Sequence, residues 1–133
     1  MKRGQAAMEY LILVGVLLVV LVPLFNYISY YTGQNIKIDR LDDAVQTLGK
    51  TADSLYALGP GNKDYVWITL PSGIIRTDVS LNEILIVTNV FGEESDFYYI
   101  TKGTVIGSIP NDKGTFKMEL EVLETGEIQI AKS

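Results

Sequence analysis

Between Glu9 and Lys37 the chain carries no charged residue, and from Tyr10 to Phe25 it carries neither a charge nor a polar amide. The block LILVGVLLVVLVPLF is mostly Leu and Val. With Ala6, Ala7 and Met8 before it and Tyr27 and Ile28 after it, the span reaches about 20 residues, the length a helix needs to cross a hydrocarbon core. Fourteen Leu, Ile, Val and Phe side chains lie between Leu11 and Ile28. Each favours lipid by roughly 0.3–0.6 kcal/mol, together on the order of 4–8 kcal/mol against leaving a bilayer. Lys2 and Arg3 flank the span on one side only, so the positive-inside rule puts the N-terminus in the cytoplasm and the rest of the chain outside.

A secretory signal places its small-residue cleavage site after the apolar core. Here the core is followed by NYISYYTGQN, while the small residues Gly4, Ala6 and Ala7 precede it. A cut at those residues would fall on the cytoplasmic side and leave the apolar helix on the mature chain. Glu9 stands just inside this helix. A carboxylate at mid-membrane costs about 2.5–3.5 kcal/mol, and less near a helix end, where it reaches the interface and suits the helix macrodipole. Glu9 is therefore either a headgroup-level charge or a functional one.

The remaining composition narrows the chemistry. The 133 residues suffice for one domain. A net charge of −5 argues against nucleic acid as a partner. There is no Cys, hence no disulfide framework and no thiolate metal site. There is no His, which removes the commonest general base and transition-metal ligand together. The expectation is a non-enzymatic chain with no catalytic residues, no metal and no cofactor.

Pro23 should kink the helix, since it deletes a backbone hydrogen bond and crowds the preceding turn. Beyond it, Ile28, Tyr31, Ile38, Leu41, Val45, Leu48, Ala52, Leu55 and Leu58 recur at steps of three or four, interrupted at Asn35. Lys37, Arg40, Asp42, Asp43, Lys50 and Asp53 fall largely off that stripe, the signature of an amphipathic helix. Gly59-Pro60-Gly61 ends it. A continuous helix from Ala6 to Leu58 would be about 80 Å long.

After Gly61 the apolar period becomes two. YVWITL (65–70), GIIRT (73–77), NEILIVTN (82–89), DFYYITK (96–102), TVIGSI (104–109), TFKMELEVL (115–123) and EIQIA (127–131) read as strands. PSG, TDVSL, FGEES, PNDKG and ETG read as turns. The ILIV and FYYI segments, apolar on both faces, are expected at central positions. The fold class is thus α+β: a long N-terminal helix packed on an antiparallel sheet head of 5–7 strands, arranged as a meander. In this head, Tyr98 and Tyr99 suit core and cross-strand packing better than sugar stacking. Glu93, Glu94 and Asp96 lack the spacing of a calcium loop. Glu119, Glu121 and Glu124 read as a solvated face that protects a sheet edge.

The stretch GQAAMEYLIL closely resembles the class III signal peptide of archaeal type IV pilin-like proteins. The family's motif runs basic residues, Gly, Gln, a small residue, Glu and Leu, and Lys2, Arg3, Gly4, Gln5, Ala7, Glu9 and Leu13 occupy those places. Ala7 departs from the serine frequent there. The resemblance covers about the first 25 residues. It implies cleavage between Gly4 and Gln5 by a prepilin peptidase, with Lys2 and Arg3 as the basic leader. Cleavage would reduce 11 basic residues to 9 against 16 acidic ones, moving the net charge from −5 to −7. It also implies that Gln5, Glu9 and Leu13 serve subunit assembly, with Glu9 facing the new α-amino group at Gln5 of a neighbouring copy. The implied partners are copies of the chain or other pilins in a helical filament, an assembly ATPase and a membrane platform protein. The implied location is the membrane before assembly and an extracellular pilus afterwards.

The resulting organisation is a leader (1–4), a membrane or filament-core helix (5–29), an amphipathic helix (30–60) and a β head (61–133). Alternative readings are a minor pilin or pseudopilin of a secretion or uptake machine, and a single-pass membrane protein with a small binding ectodomain. The head contains no N-x-S/T glycosylation sequon.

Overall fold

The computed structural model describes the chain over residues 2–133. Met1, part of the expected leader, and the Lys2 side chain lie outside what is described. The elements in chain order are α1 (Lys2–Leu58), β1 (Lys63–Leu70), β2 (Ile74–Ser80), β3 (Glu83–Val90), β4 (Glu93–Ile100), β5 (Val105–Gly107), β6 (Gly114–Val122) and β7 (Ile128–Lys132). The chain divides into two compact units, one extending through Asn35 and the other Ile36–Ser133.

The first unit is helical over all its described residues. Its Leu, Met and Ala residues are strong helix formers, and its many Val residues lose only a few tenths of a kcal/mol each. Pro23, where a kink was expected, lies inside an uninterrupted helical element. Proline removes one hydrogen bond, and the flanking turns of a long apolar helix carry the rest. Met8, Tyr10–Leu13, Val16–Val22, Leu24 and Phe25 are all exposed.

The second unit holds the core. Leu41, Ala44, Val45, Leu48, Ala52 and Leu55 from α1 are buried with Ile68, Leu70, Ile84, Ile86, Met118, Leu120, Ile128 and Ile130 from the strands. At roughly 1.5–3 kcal/mol for each large apolar side chain removed from water, this cluster is the principal stabilising term of the unit. The helix stops where the glycine signal puts it. Gly59 takes φ +91°, its N–H donates to the Leu55 carbonyl at 3.0 Å, and the Asn62 amide donates to the Leu58 and Gly59 carbonyls. Those contacts satisfy acceptors that a helix end leaves open.

All seven expected strands form, but in two sheets instead of one meander. β2-β3-β4 is an antiparallel meander, and the second sheet has the order β1-β6-β7-β5, with β5 parallel to β7. After β4 the chain crosses between sheets. The Thr101 N–H donates to Asn82 O at 2.8 Å, Val105 N–H to Leu81 O at 2.6 Å, and the Thr77 hydroxyl to Ile109 O at 2.9 Å. This stitching delivers β5 to the free side of β7, a placement that local alternation does not encode.

Three strand-level expectations are corrected. The TDVSL segment is mostly strand, since β2 continues to Ser80 and only Leu81-Asn82 turns. The FYYI segment lies on β4, at a sheet edge instead of the centre, and only alternate residues are half-buried. The MELEVLE strand, β6, is central, so Glu119 and Glu121 sit on the solvent face of an interior strand and guard no edge.

Candidate functional site

In the N-terminal helix, Gln5, Glu9 and Leu13 follow one another at steps of four and so form a single ridge along its surface. All three are exposed, as are Gly4 and Ala7. Among the described residues Glu9 forms no ion pair or side-chain hydrogen bond. The ridge presents one carboxylate among apolar side chains, one turn from Gln5.

The peptide between Gly4 and Gln5 is helical here, inside the first turns of α1. The first four N–H groups of a helix have no internal acceptor, and a helical glycine costs about 1 kcal/mol relative to alanine. The helix is therefore weakest in its first turn. There is no acidic residue in the first turn. Arg3, a cation in that turn, opposes the helix macrodipole.

In the second unit, the expected tyrosine pair is divided by the strand pleat. Tyr98 is 60% exposed, whereas Tyr99 turns inward. The Tyr99 hydroxyl donates to Asp53 Oδ2 at 2.8 Å, and the Lys102 N–H donates to the other oxygen of the same carboxylate at 2.8 Å. The hydrogen bond to Asp53, with desolvation and the nearby negative charge, raises the Tyr99 pKa above its ordinary value. The Tyr99 ring lies on the bare backbone of Gly49, so closely that a Cβ there would stand inside the ring. Tyr56 meets Gly103 in the same manner. Gly49, Asp53 and Tyr56, spaced at four and three, thus form a second contact face on α1, beside the apolar stripe. Sequence reasoning placed Asp53 only among the charges off the apolar stripe. The spacing of a helical Gly, Asp and Tyr was the signal that could have revealed it.

Lys37 Nζ donates to the Asn89 carbonyl near the other end of this helix portion. Glu94 and Asp96 share the exposed face of β4 and Glu93 falls on the other, and among the described residues no three His, Cys, Asp or Glu side chains are grouped to hold a metal ion. Glu119 accepts from Lys63 at 3.4 Å, and this charge raises the Lys63 pKa. A polar groove lined by Tyr56, Lys102, Gly103, Thr104, Thr125, Gly126 and Glu127 is open to solvent.

Comparison with known proteins finds two likenesses. Residues 2–28 match the class III signal peptide, the signal of type IV pilin-like prepilins. A 73-residue stretch is 33% identical to the uncharacterized lipoprotein MG321 of Mycoplasma genitalium, covering 54% of this chain and 8% of that protein's length. No solved structure matches the chain. The N-terminal helix is long and apolar enough to cross a membrane, by length and composition.

Proposed function

We propose that this chain is a structural subunit, a pilin, of an archaeal type IV pilus-like cell-surface filament, cut between Gly4 and Gln5 and polymerised through its N-terminal helix. One observation carries the reading. The apolar run that carries the class III signal is exposed from Tyr10 to Leu13, from Val16 to Val22 and at Leu24 and Phe25, while the unit from Ile36 onward has a buried core of its own. The exposed helix needs another apolar medium: lipid first, and then the Leu and Val side chains of neighbouring copies. A head-to-tail contact that does not close generates a helical fibre.

Glu9 supplies what a Leu/Val surface lacks, which is a fixed axial register. Cleavage creates an α-amine at Gln5, and in the assembled core that amine of one copy pairs with Glu9 of the next. A buried ion pair adds little net stability, because desolvation offsets its Coulomb gain. A subunit shifted along the axis, however, would bury an unpaired charge, and that penalty selects the register. The peptidase, the ATPase and the membrane platform act from outside the chain. The chain itself carries no catalytic role in this scheme.

Mass spectrometry of sheared surface filaments should find chains beginning at Gln5, and mature protein beginning at Met1 would end the processing claim. Glu9→Gln should leave cleavage largely intact and reduce incorporation into filaments. Normal assembly of Glu9→Gln would remove the register role while leaving the pilin reading standing.

A further inference from the structure

Three tyrosines follow the apolar run directly. Tyr27, Tyr30 and Tyr31 occupy positions i, i+3 and i+4, so they share one side of the helix. Their exposures are 65%, 53% and 50%, and the Tyr27 and Tyr31 rings stack with centroids 6.3 Å apart and planes at 23°. Tyr10, at the other end of the charge-free run, is 69% exposed.

Phenols have a stable position in a bilayer, at the level of the headgroups. There the ring rests against acyl chains while the hydroxyl stays hydrated. The spacing fits. At a rise of about 1.5 Å per residue, Tyr10 and Tyr27 are about 26 Å apart along the axis, and Tyr10 and Tyr31 about 32 Å. A hydrocarbon core is about 30 Å thick.

We propose that Tyr27, Tyr30 and Tyr31 form an aromatic anchor for the outer lipid headgroup interface, which with Tyr10 at the inner interface fixes the depth of the helix before assembly. The proposal rests on the membrane-inserted stage of the reading above and adds to it a defined depth. It also accounts for Glu9. With Tyr27 at the outer surface, Glu9 lies about 27 Å further in, next to Tyr10 and within reach of the inner headgroups. The carboxylate is thus hydrated while the subunit waits in the membrane, and it loses that hydration only on entering a filament core. The anchor makes one residue inexpensive in the membrane and selective in the polymer.

The chain has no Cys, so single cysteines report depth without background. The full chain carrying Leu24→Cys or Thr32→Cys is reconstituted in phosphatidylcholine–phosphatidylglycerol vesicles and treated with a membrane-impermeant maleimide. Thr32→Cys should label much faster than Leu24→Cys. Replacing all three tyrosines by Leu makes positions 27, 30 and 31 aliphatic and should slow Thr32→Cys labelling by about fivefold or more as that position is drawn into the bilayer. Replacing them by Trp should leave the rate unchanged.

Equal Thr32→Cys rates in the Tyr, Leu and Trp backgrounds would overturn the anchor while leaving membrane insertion intact. Equal rates for Leu24→Cys and Thr32→Cys in the parent chain would instead remove the insertion on which it rests. Loss of the boundary in the Trp variant, with concentration-dependent disulfide dimers through Thr32→Cys in the parent, would reassign the tyrosines to a contact between copies.

Discussion

The helix through Asn35 and the unit from Ile36 onward use the same residue types to opposite ends. In the second unit, Leu41 and Leu48 are fully buried by strands of the same chain. In the first, Leu11, Leu13 and Leu17 are 70%, 66% and 55% exposed. The difference lies in what the sequence supplies around each leucine. From Ile36 to Leu58, polar residues alternate with the apolar stripe, giving one dry face that the sheets cover. From Tyr10 to Phe25 no polar face exists, so no intramolecular partner could cover the helix on all sides. A helix apolar all round requires an apolar surrounding. One region is thereby a folding unit and the other an exposed apolar helix.

The sharpest way to break this contrast is to make one substitution in both regions. Leu48→Ala should cost the second unit about 2–5 kcal/mol of unfolding free energy, the range for a buried leucine cavity. Leu17→Ala should leave urea unfolding of that unit unchanged. Equal effects at the two positions would mean that the apolar helix contributes to the folded core.

A matched glycine pair gives a smaller contrast. Gly49→Ala gains up to about 1 kcal/mol of helix propensity but forces the Tyr99 ring to move, at about 1–3 kcal/mol, so net destabilisation is expected. A Cβ at Gly15 meets nothing within 4 Å. Gly15→Ala should therefore preserve stability and raise helicity slightly, as read by circular dichroism.

Smaller still is the alkaline behaviour of the Asp53 clasp. The neutral Tyr99 hydroxyl donates to Asp53, and its pKa is raised above the ordinary value of 10.0. Its contribution is therefore fully present below the unfolded-state pKa of about 10 and is lost as pH rises through the folded one. Thermal unfolding should show a loss of stability above pH 10 that is diminished in Tyr99→Phe. The least effect is expected at Lys63–Glu119, an exposed pair. Lys63→Ala should not shift the melting temperature measurably at physiological salt.

Much of this molecule was legible because its signals are local. The stripe Leu41, Val45, Leu48, Ala52 and Leu55 is the buried face of α1, and Gly59 ends the helix as its left-handed φ allows. The alternation of Met118, Leu120 and Val122 gives the inward face of β6. The motif from Lys2 to Leu13 was readable because the residues of a processing signal are contiguous. What was misread depends on neighbours distant in sequence. The FYYI segment was placed centrally because it is apolar on both faces, yet on β4 its inward side is supplied by Gly49 and Asp53 of the helix. Glu119 and Glu121 resembled edge guards until β1 and β7 were found on either side of their strand.

The sequence by itself determined the order of helix and strands, the end of the long helix, and the segment long and apolar enough to cross a membrane. These follow from periodicity and from the absence of charge, properties of adjacent residues. The tertiary structure alone decided the division into two sheets, the parallel approach of β5 to β7, and the second contact face of α1 at Gly49, Asp53 and Tyr56. Strand neighbours are chosen by long-range closure and by how complete surfaces fit, and neither is written into a local pattern.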